Sequence, residues 1–508
     1  MNQLPTDWHQ RAAALAPELR PLVAGRHHEA SSGRLVQRAD PACEGALPVY
    51  EAAGDEAVVA ALRTARDAFD AGPWGRTGPM ERRGMLLAFA AGIEAQAEEL
   101  ALRDSVDVGK PISAALGEAY VAAGFVRYYA EAIDKHYGAT APTGPGALEL
   151  QLRRPRGVVA AITPWNFPVI NAALKIGPAL AAGNTVVLKP SELSPASALL
   201  LGQLALEAGL PPGVLNVLPG DGLTGELLAR SAAVDMLTFT GSTATGRALL
   251  RATGESTIKP LLLECGGKSP ELLFADMDGP ELEMVVAQIA GGALWNQGQV
   301  CVARTRFLVE ASIFDRVLGY LLAQTGAVRV GHPRDPATGF GPLASPAQAA
   351  RVRGFIEAGI GEGADLLLDG RAPVGAPGGA GSCYVGPTVF AGADADSSLA
   401  QEEIFGPVIT VFPFRSEQEA VALANHSRYG LAASVWTRDL ARGHRVSSQL
   451  RAGKVRVCCA PVPPVPAAGF AHSAEPAGQS GYGIEGGMRG LESYTRQQAV
   501  EFAWPALS

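Results

Sequence analysis

A chain of 508 residues is too long for one compact domain and suits two or three. Its 60 glycines and 37 prolines stay below the share at which low-complexity disorder is expected, and 47 % hydrophobic against 6 % aromatic residues means sizeable cores built mainly from Ala, Val and Leu. A formal charge of −8 argues against nucleic acid as the main partner, and 6 scattered cysteines with no CxxC or HxxxH pair exclude a disulfide framework and offer no metal-ligand spacing.

From the N-terminus, Met1–His9 lacks a basic stretch followed by an apolar run, so no signal peptide is read. Asp55–Ala71 and Met80–Arg103 have helical spacing with charges on one face, and Leu148–Arg154 alternates strictly, which predicts a strand with one wet face outside the main sheet. Gly157–Leu174 is uncharged but interrupted by Pro164, Asn166, Pro168 and Asn171, so no membrane span is expected. From Val158 the tempo is that of βα units: strands at Val158–Ile162, Thr185–Leu188, Val214–Leu218 and Met236–Phe239, with helices at Asn171–Ala182, Ala196–Ala208, Gly222–Arg230 and Ser242–Thr253. Such a repeat predicts a doubly wound, nucleotide-binding parallel sheet. A second α/β block runs from about Lys268 to Val455, with a surface loop expected at Gly370–Gly381, and Gly490–Val500 reads as a closing strand. The whole reads as a soluble, cytoplasmic α/β protein.

Gly220-Asp-Gly222-Leu-Thr-Gly225 is a literal GxGxxG after a strand, but Asp235 precedes the next strand, so the ribose partner is missing and a tight turn is at least as good a reading. Gly241-Ser242 opens a helix after Phe239 and could hold a pyrophosphate against the positive helix end, although a plain N-cap explains the local sequence equally well. Lys189 and Glu192 close a strand at the edge where nucleotides bind; such a pair can chelate ribose hydroxyls, and the glutamate disfavours a 2′-phosphate, so NAD is expected rather than NADP. Standing alone, they read better as a solvated loop pair with Pro190 as stiffener. Glu264 beside Gly266-Gly267 has little steric cover and in an apolar pocket would rise toward the range of a general base. Cys301 after Gly298-Gln-Val sits on a turn whose backbone N–H groups can stabilise thiolate and oxyanion; a lone cysteine is otherwise more often a buried apolar residue.

Taken in order, Thr163-Pro-Trp165-Asn166-Phe167-Pro168, Lys189-Pro-Ser-Glu192, Gly241-Ser242-x-x-x-Gly246, Glu264-Cys-Gly-Gly-Lys, Gly298-Gln-Val-Cys301, Glu403-Ile-Phe405-Gly406-Pro407 and Tyr429-Gly-Leu-Ala-Ala resemble the aldehyde dehydrogenase superfamily over nearly the whole chain. The resemblance implies an NAD-binding domain (1–137 and 156–265), a catalytic domain (266–457) and a β-ribbon for oligomerisation (138–155 and 482–508), hence a homodimer or homotetramer. It implies Cys301 as the nucleophile that attacks the aldehyde, Asn166 with the Cys301 N–H as oxyanion hole, hydride loss from the thiohemiacetal to NAD, and Glu264 as activator of the water that hydrolyses the thioester. Lys175 and Glu485 take positions associated with proton relay. Trp165, Lys189, Glu192, Gly222, Phe239, Gly241, Ser242, Gly266, Glu403 and Phe405 take cofactor positions.

Where the family usually carries an Asn-Cys pair and a Pro-Phe-Gly-Gly-x-Lys block, this chain has Val457-Cys458-Cys459-Ala-Pro-Val-Pro and a charge-free stretch to Ala471, and Ile484 replaces a common arginine. The segment 458–481 is therefore read as an atypical substrate-entrance loop. With Phe167, Asn171, Leu174, Trp295, Val300, Val302 and Cys458 assigned to the pocket, an apolar aldehyde is expected (aromatic, terpenoid or medium-chain). Cys458 and Cys459 are expected to be two packed thiols rather than a redox switch. The competing readings are a CoA-acylating dehydrogenase, against which Glu264 argues, and a non-enzymatic binding or structural member of the fold. No metal, nucleic acid or membrane partner is expected.

Overall fold

In a computed structural model that describes residues 7–42, 45–377, 382–462 and 469–505, five buried strands run parallel in the order Leu215–Val217, Thr185–Lys189, Val158–Ile162, Met236–Thr240, Leu261–Glu264. The first strand in sequence lies centrally and the chain winds outward both ways from it, so the doubly wound sheet is present. Its reversal point lies between Val158–Ile162 and Met236–Thr240, whose carboxyl ends frame the crevice in which such sheets bind ligands. Antiparallel strands extend both edges, Leu22–Val23 beside Val217 and Gly481–Tyr482 beside Leu263–Glu264.

The alanine-rich, aromatic-poor composition has a use here. The helix Ile112–Ala132 lies against Pro168–Ala181 with Ala119, Ala122, Ala123 and Val126 buried beside Ala172, Ala173 and Ile176. Side chains this short let two helix backbones approach closely, and Gly177 receives the Tyr129 ring.

The second sheet has seven strands in the order Asp365–Leu368, Thr388–Ala391, Val408–Phe414, Arg304–Glu310, Ser269–Leu273, Ala432–Trp436, Lys454–Cys458; only the first is antiparallel. The alternating segment is the strand Ala147–Pro155, paired along its length with Thr495–Ala503 and with Ala139–Ala141 in a separate antiparallel ribbon.

Three sequence expectations need correction. The stretch Met80–Arg103 is two helices, Pro79–Ala95 and Ala97–Val108, broken where Gln96 leaves helical geometry (φ −105°, ψ 21°). The closing strand begins only at Thr495, because Gly487–Ser493 is a helix: Met488 and Leu491, three residues apart, both reach the first core, which strand alternation would forbid. Cys458 and Cys459 are not a packed pair; strand geometry turns Cys458 into the core of the second sheet and leaves Cys459 exposed. The last four residues of the expected loop 370–381, and 463–468 of the expected entrance loop, lie outside the described residues.

Candidate active site

Cys301 sits between the helix Leu282–Leu294 and the strand Arg304–Glu310, after a turn in which Asn296, Gln297 and Gly298 all have positive φ (50°, 57° and 70°). Two successive non-glycine residues in the left-handed region carry a backbone cost that such sites typically bear. The turn is held by side chains: Gln299 accepts from the Ala344 N–H (3.0 Å) and donates to the Asn296 carbonyl (3.2 Å). Gly298 is required twice over, by its φ and because a Cβ would overlap the Gly406 carbonyl.

Asn166, from the loop after the strand Val158–Ile162, is brought to this turn. Its side-chain amide donates to the Gln299 carbonyl (2.9 Å), which uses one of its two N–H groups. Its Oδ1 is buried without a partner among the described residues.

Glu264 ends the strand Leu261–Glu264, and no hydrogen bond fixes its carboxylate among the described residues. Burial, then the charge of Glu485, raise its pKa well above the ordinary carboxylate value, opposed by Lys175. Lys175 is fully buried and donates to Glu485 (2.9 Å) and to the Thr238 hydroxyl (3.2 Å), so the three sequence-predicted residues Glu264, Lys175 and Glu485 form one electrostatic group. The Gly266-Gly267 turn admits two neighbours that a side chain would exclude: the Glu403 carboxylate, which accepts from the Gly267 N–H (3.0 Å), and the Cys301 carbonyl. Burial pushes Glu403 up to about 7, and burial, then Glu403 and Glu264, push the Cys301 thiol up to about 12.

The residues expected to take cofactor positions come from both units. Trp165 and Phe405 meet edge to face, ring centroids 5.3 Å apart, and Phe405 itself has φ 60°. Lys189 is buried and lies 3.7 Å from the half-exposed Glu192 carboxylate. Ser242 caps the helix Thr243–Gly254 through the Thr245 N–H (3.1 Å), so the plain N-cap reading describes its hydroxyl, while the first helical turn is open to solvent. Gly222 opens the helix Gly222–Arg230, whose cap is Asp221, an acid tied to Arg34 (2.8 Å). Phe239 packs under the Gly241 turn.

The chain matches the family model described as Aldehyde dehydrogenase family over residues 27–500. It is 46 % identical over 453 residues to the NADP/NAD-dependent aldehyde dehydrogenase PuuC of Escherichia coli (strain K12), covering 89 % of this chain and 90 % of that one. The chain belongs to the aldehyde dehydrogenase family. Among solved structures it is similar to the aldehyde dehydrogenase KauB from Pseudomonas aeruginosa and to the P. syringae AldA indole-3-acetaldehyde dehydrogenase in complex with NAD+ and IAA. Each gives a TM-score of 0.93 at 41 % identity, over 98 % of this chain and 99 % of the other. In class it is a nicotinamide-dependent aldehyde dehydrogenase, as its motifs imply.

Of the pocket residues assigned to this dehydrogenase, Phe167, Val300 and Val302 form one apolar cluster, and the Phe167 and Trp295 rings lie 4.9 Å apart. Leu174 and Asn171 are half-buried on the following helix, where Asn171 caps back onto the Phe167 carbonyl (3.1 Å). The structure does not bring Cys458 to this group, since it belongs to the buried apolar core of the second sheet, with Leu273, Met277 and Val309 among its members. Two residues that sequence reasoning missed are Gln299, whose backbone carbonyl anchors Asn166, and Phe470, whose ring meets Phe125 edge to face (centroids 4.9 Å apart) over the helix Ile112–Ala132. Gln299 stood inside the cysteine motif and could have been singled out there; nothing local marks Phe470.

Proposed function

We propose that this chain oxidises an apolar aldehyde to the carboxylic acid with NAD, through a thiohemiacetal and then a thioester on Cys301. The observation that carries the reading is the meeting at Gly266-Gly267 of the Cys301 loop, the Glu403 carboxylate and the end of the Glu264 strand. The crevice fits the cofactor: at the carboxyl ends of its two central strands stand the buried, unpartnered Thr240 hydroxyl and the Asn166 Oδ1, beside an open helix N-terminus. Trp165, Phe405, Glu403, Lys189, Glu192, Gly222, Phe239, Gly241, Ser242 and Gly266 would hold it, the first unit acting as the NAD-binding domain and the second as the catalytic one. NAD, when bound, supplies the acceptor for the hydride that leaves the substrate carbon.

With its pKa near 12 the thiol is protonated in the resting enzyme and needs a base. Glu264, with its raised proton affinity, takes that proton as Cys301 attacks, and in the second half-reaction takes one from the hydrolytic water. The free N–H of Asn166 and the Cys301 N–H hold the oxyanion; losing one such donor costs roughly 10²–10³ in rate. Glu485, paired with Lys175 and 14 % exposed, passes the proton on from Glu264 toward solvent.

Apolar substrate choice is supported by the Phe167–Val300–Val302 cluster with Trp295 beside it, and by the absence of charge from Val457 to Ala471. The relatives differ here: one is named aminoacetaldehyde dehydrogenase, another indole-3-acetaldehyde dehydrogenase. A panel of aromatic, terpenoid, medium-chain, amino- and phospho-aldehydes, with and without coenzyme A, tests the reading. NADH formation is expected with the apolar members, independent of coenzyme A and lost in Cys301→Ala. Equal turnover of a short phospho-aldehyde would overturn the substrate class, and equal rates in Cys301→Ala the nucleophile. Glu192 disfavours NADP by charge, so Glu192→Gln is expected to lower the preference for NAD over NADP in kcat/KM.

A further inference from the structure

One buried ion pair plays no part in the chemistry above, yet its cation touches the backbone of the proposed oxyanion donor. Lys110 follows the left-handed Gly109 (φ 69°) that ends the helix Ala97–Val108, and Glu118 lies two turns along the next helix, Ile112–Ala132. Both are buried, Lys110 at 1 % exposure. The ammonium spends its three N–H donors on the two Glu118 oxygens (2.5 and 2.6 Å) and on the Asn166 carbonyl (2.8 Å). It also stands 4.0 Å from the centre of the Phe167 ring.

The same Asn166 carbonyl accepts from the Asn296 side chain (3.0 Å), on the strained turn that leads to Cys301. Both lone pairs of that oxygen are therefore used, one from the first unit and one from the cysteine loop. The peptide that carries the Asn166 side chain is clamped between them, and the ring next in sequence is clamped by the same ammonium. Replacing a buried ion pair by apolar residues of similar volume is often neutral or stabilising. Stability alone therefore gives little reason for a charge here, whereas a directional donor aimed at one carbonyl gives a specific one.

We propose that Lys110, locked by Glu118, is the positioning residue that fixes the Asn166–Phe167 segment against the Cys301 loop, setting both the oxyanion donor and the aromatic wall of the aldehyde site. The inference rests on the oxyanion role proposed for Asn166. Lys110 touches no reacting atom; its effect on the reaction passes through the peptide and the ring that it holds.

The test compares wild type, Asn166→Ala, the paired variant Lys110→Met/Glu118→Met, and Glu118→Gln. The paired change removes donor and acceptor together, so no charge is left buried alone. Readouts are kcat and KM with an apolar aldehyde, the primary isotope effect with the C1-deuterated aldehyde, NAD affinity by tryptophan fluorescence, and the unfolding temperature. The paired variant is expected to unfold no earlier than wild type and to bind NAD as tightly. Its kcat should fall roughly 10–10²-fold, the scale of a misplacement of about 1 Å, with an isotope effect larger than that of wild type. Combined with Asn166→Ala, it should add little further loss. Glu118→Gln, which keeps the lysine but loosens its lock, should show a smaller loss of the same kind and serves alone if the paired variant does not fold. Wild-type kcat and isotope effect in the folded Lys110 and Glu118 variants, with Asn166→Ala slow, would overturn the positioning role only. Wild-type rates in Asn166→Ala would overturn the oxyanion reading and this inference with it.

Discussion

A Cβ added at Gly267 would overlap the Cys301 carbonyl oxygen and come within 3.2 Å of the Leu431 Cβ. The obstruction is backbone, so it cannot be relieved by a rotamer change. Gly267→Ala must displace the Cys301 loop, and kcat is expected to fall roughly 10²-fold. Gly254→Ala, at a helical glycine with nothing within 4 Å of a Cβ, is the control and should leave kcat unchanged. Similar kcat values in the two variants would remove the geometric argument for the Gly-Gly turn.

Glu264 carries a pKa above the ordinary carboxylate value, from burial first and the Glu485 charge second. A base acts in its deprotonated form, and a raised pKa leaves more of it protonated near neutrality. Activity should therefore climb as pH rises through that raised pKa and level off above it. Because the same carboxylate takes the Cys301 proton, Glu264→Gln should erase this limb, slowing the thiol attack and, once the thioester has formed, stalling its hydrolysis. The checks are a pre-steady-state NADH phase slower than in wild type but still of about one NADH per site, and an acyl mass on Cys301. Steady turnover with no acylated species would count against the water-activating role.

The ribbon turns apolar side chains outward. Leu148 lies opposite Phe502 in register, and Phe502 and Trp504 are each 50 % exposed. Burying the exposed half of such side chains in a second copy is worth about 1 kcal/mol each, half of what full burial gives, which supports the proposal that the ribbon joins subunits. Phe502→Ser/Trp504→Ser is expected to shift the protein from dimer or tetramer toward monomer in light scattering. An unchanged mass would move the interface elsewhere.

The doubly wound core was legible because its strands are short, buried and β-branched, and its helices open on residues such as Pro168, Pro195 and Ser242. Errors fell where local pattern is ambiguous. Gly487–Ser493 carries too few residues for periodicity to separate helix from strand, and tertiary burial of Met488 and Leu491 decides it. Cys458 was assigned by its place in an altered loop, but it closes a strand and faces the core. Lys110 was invisible for another reason: its three partners come from Glu118 and Asn166, 8 and 56 residues away, and no spacing rule joins them.

Asp104 is 1 % exposed, and one of its carboxyl oxygens has no partner among the described residues. Burial raises its pKa to about 8 in the folded chain, whereas an unfolded aspartate titrates near about 3.9. Between those values the folded state holds a proton that the unfolded state has released. By linkage, the contribution of this group to stability is greatest below the unfolded pKa and declines as pH rises toward about 8. Asparagine mimics the protonated form and cannot titrate. The unfolding temperature of Asp104→Asn minus that of wild type should therefore grow steadily as pH rises from ~5, already above the unfolded aspartate value, toward about 8. Glu403, also raised by burial, gives a slope of the same sign in both proteins and cancels in the comparison. A gap between the two unfolding temperatures that stays constant across this range, or closes, would mean that Asp104 is already ionised in the fold.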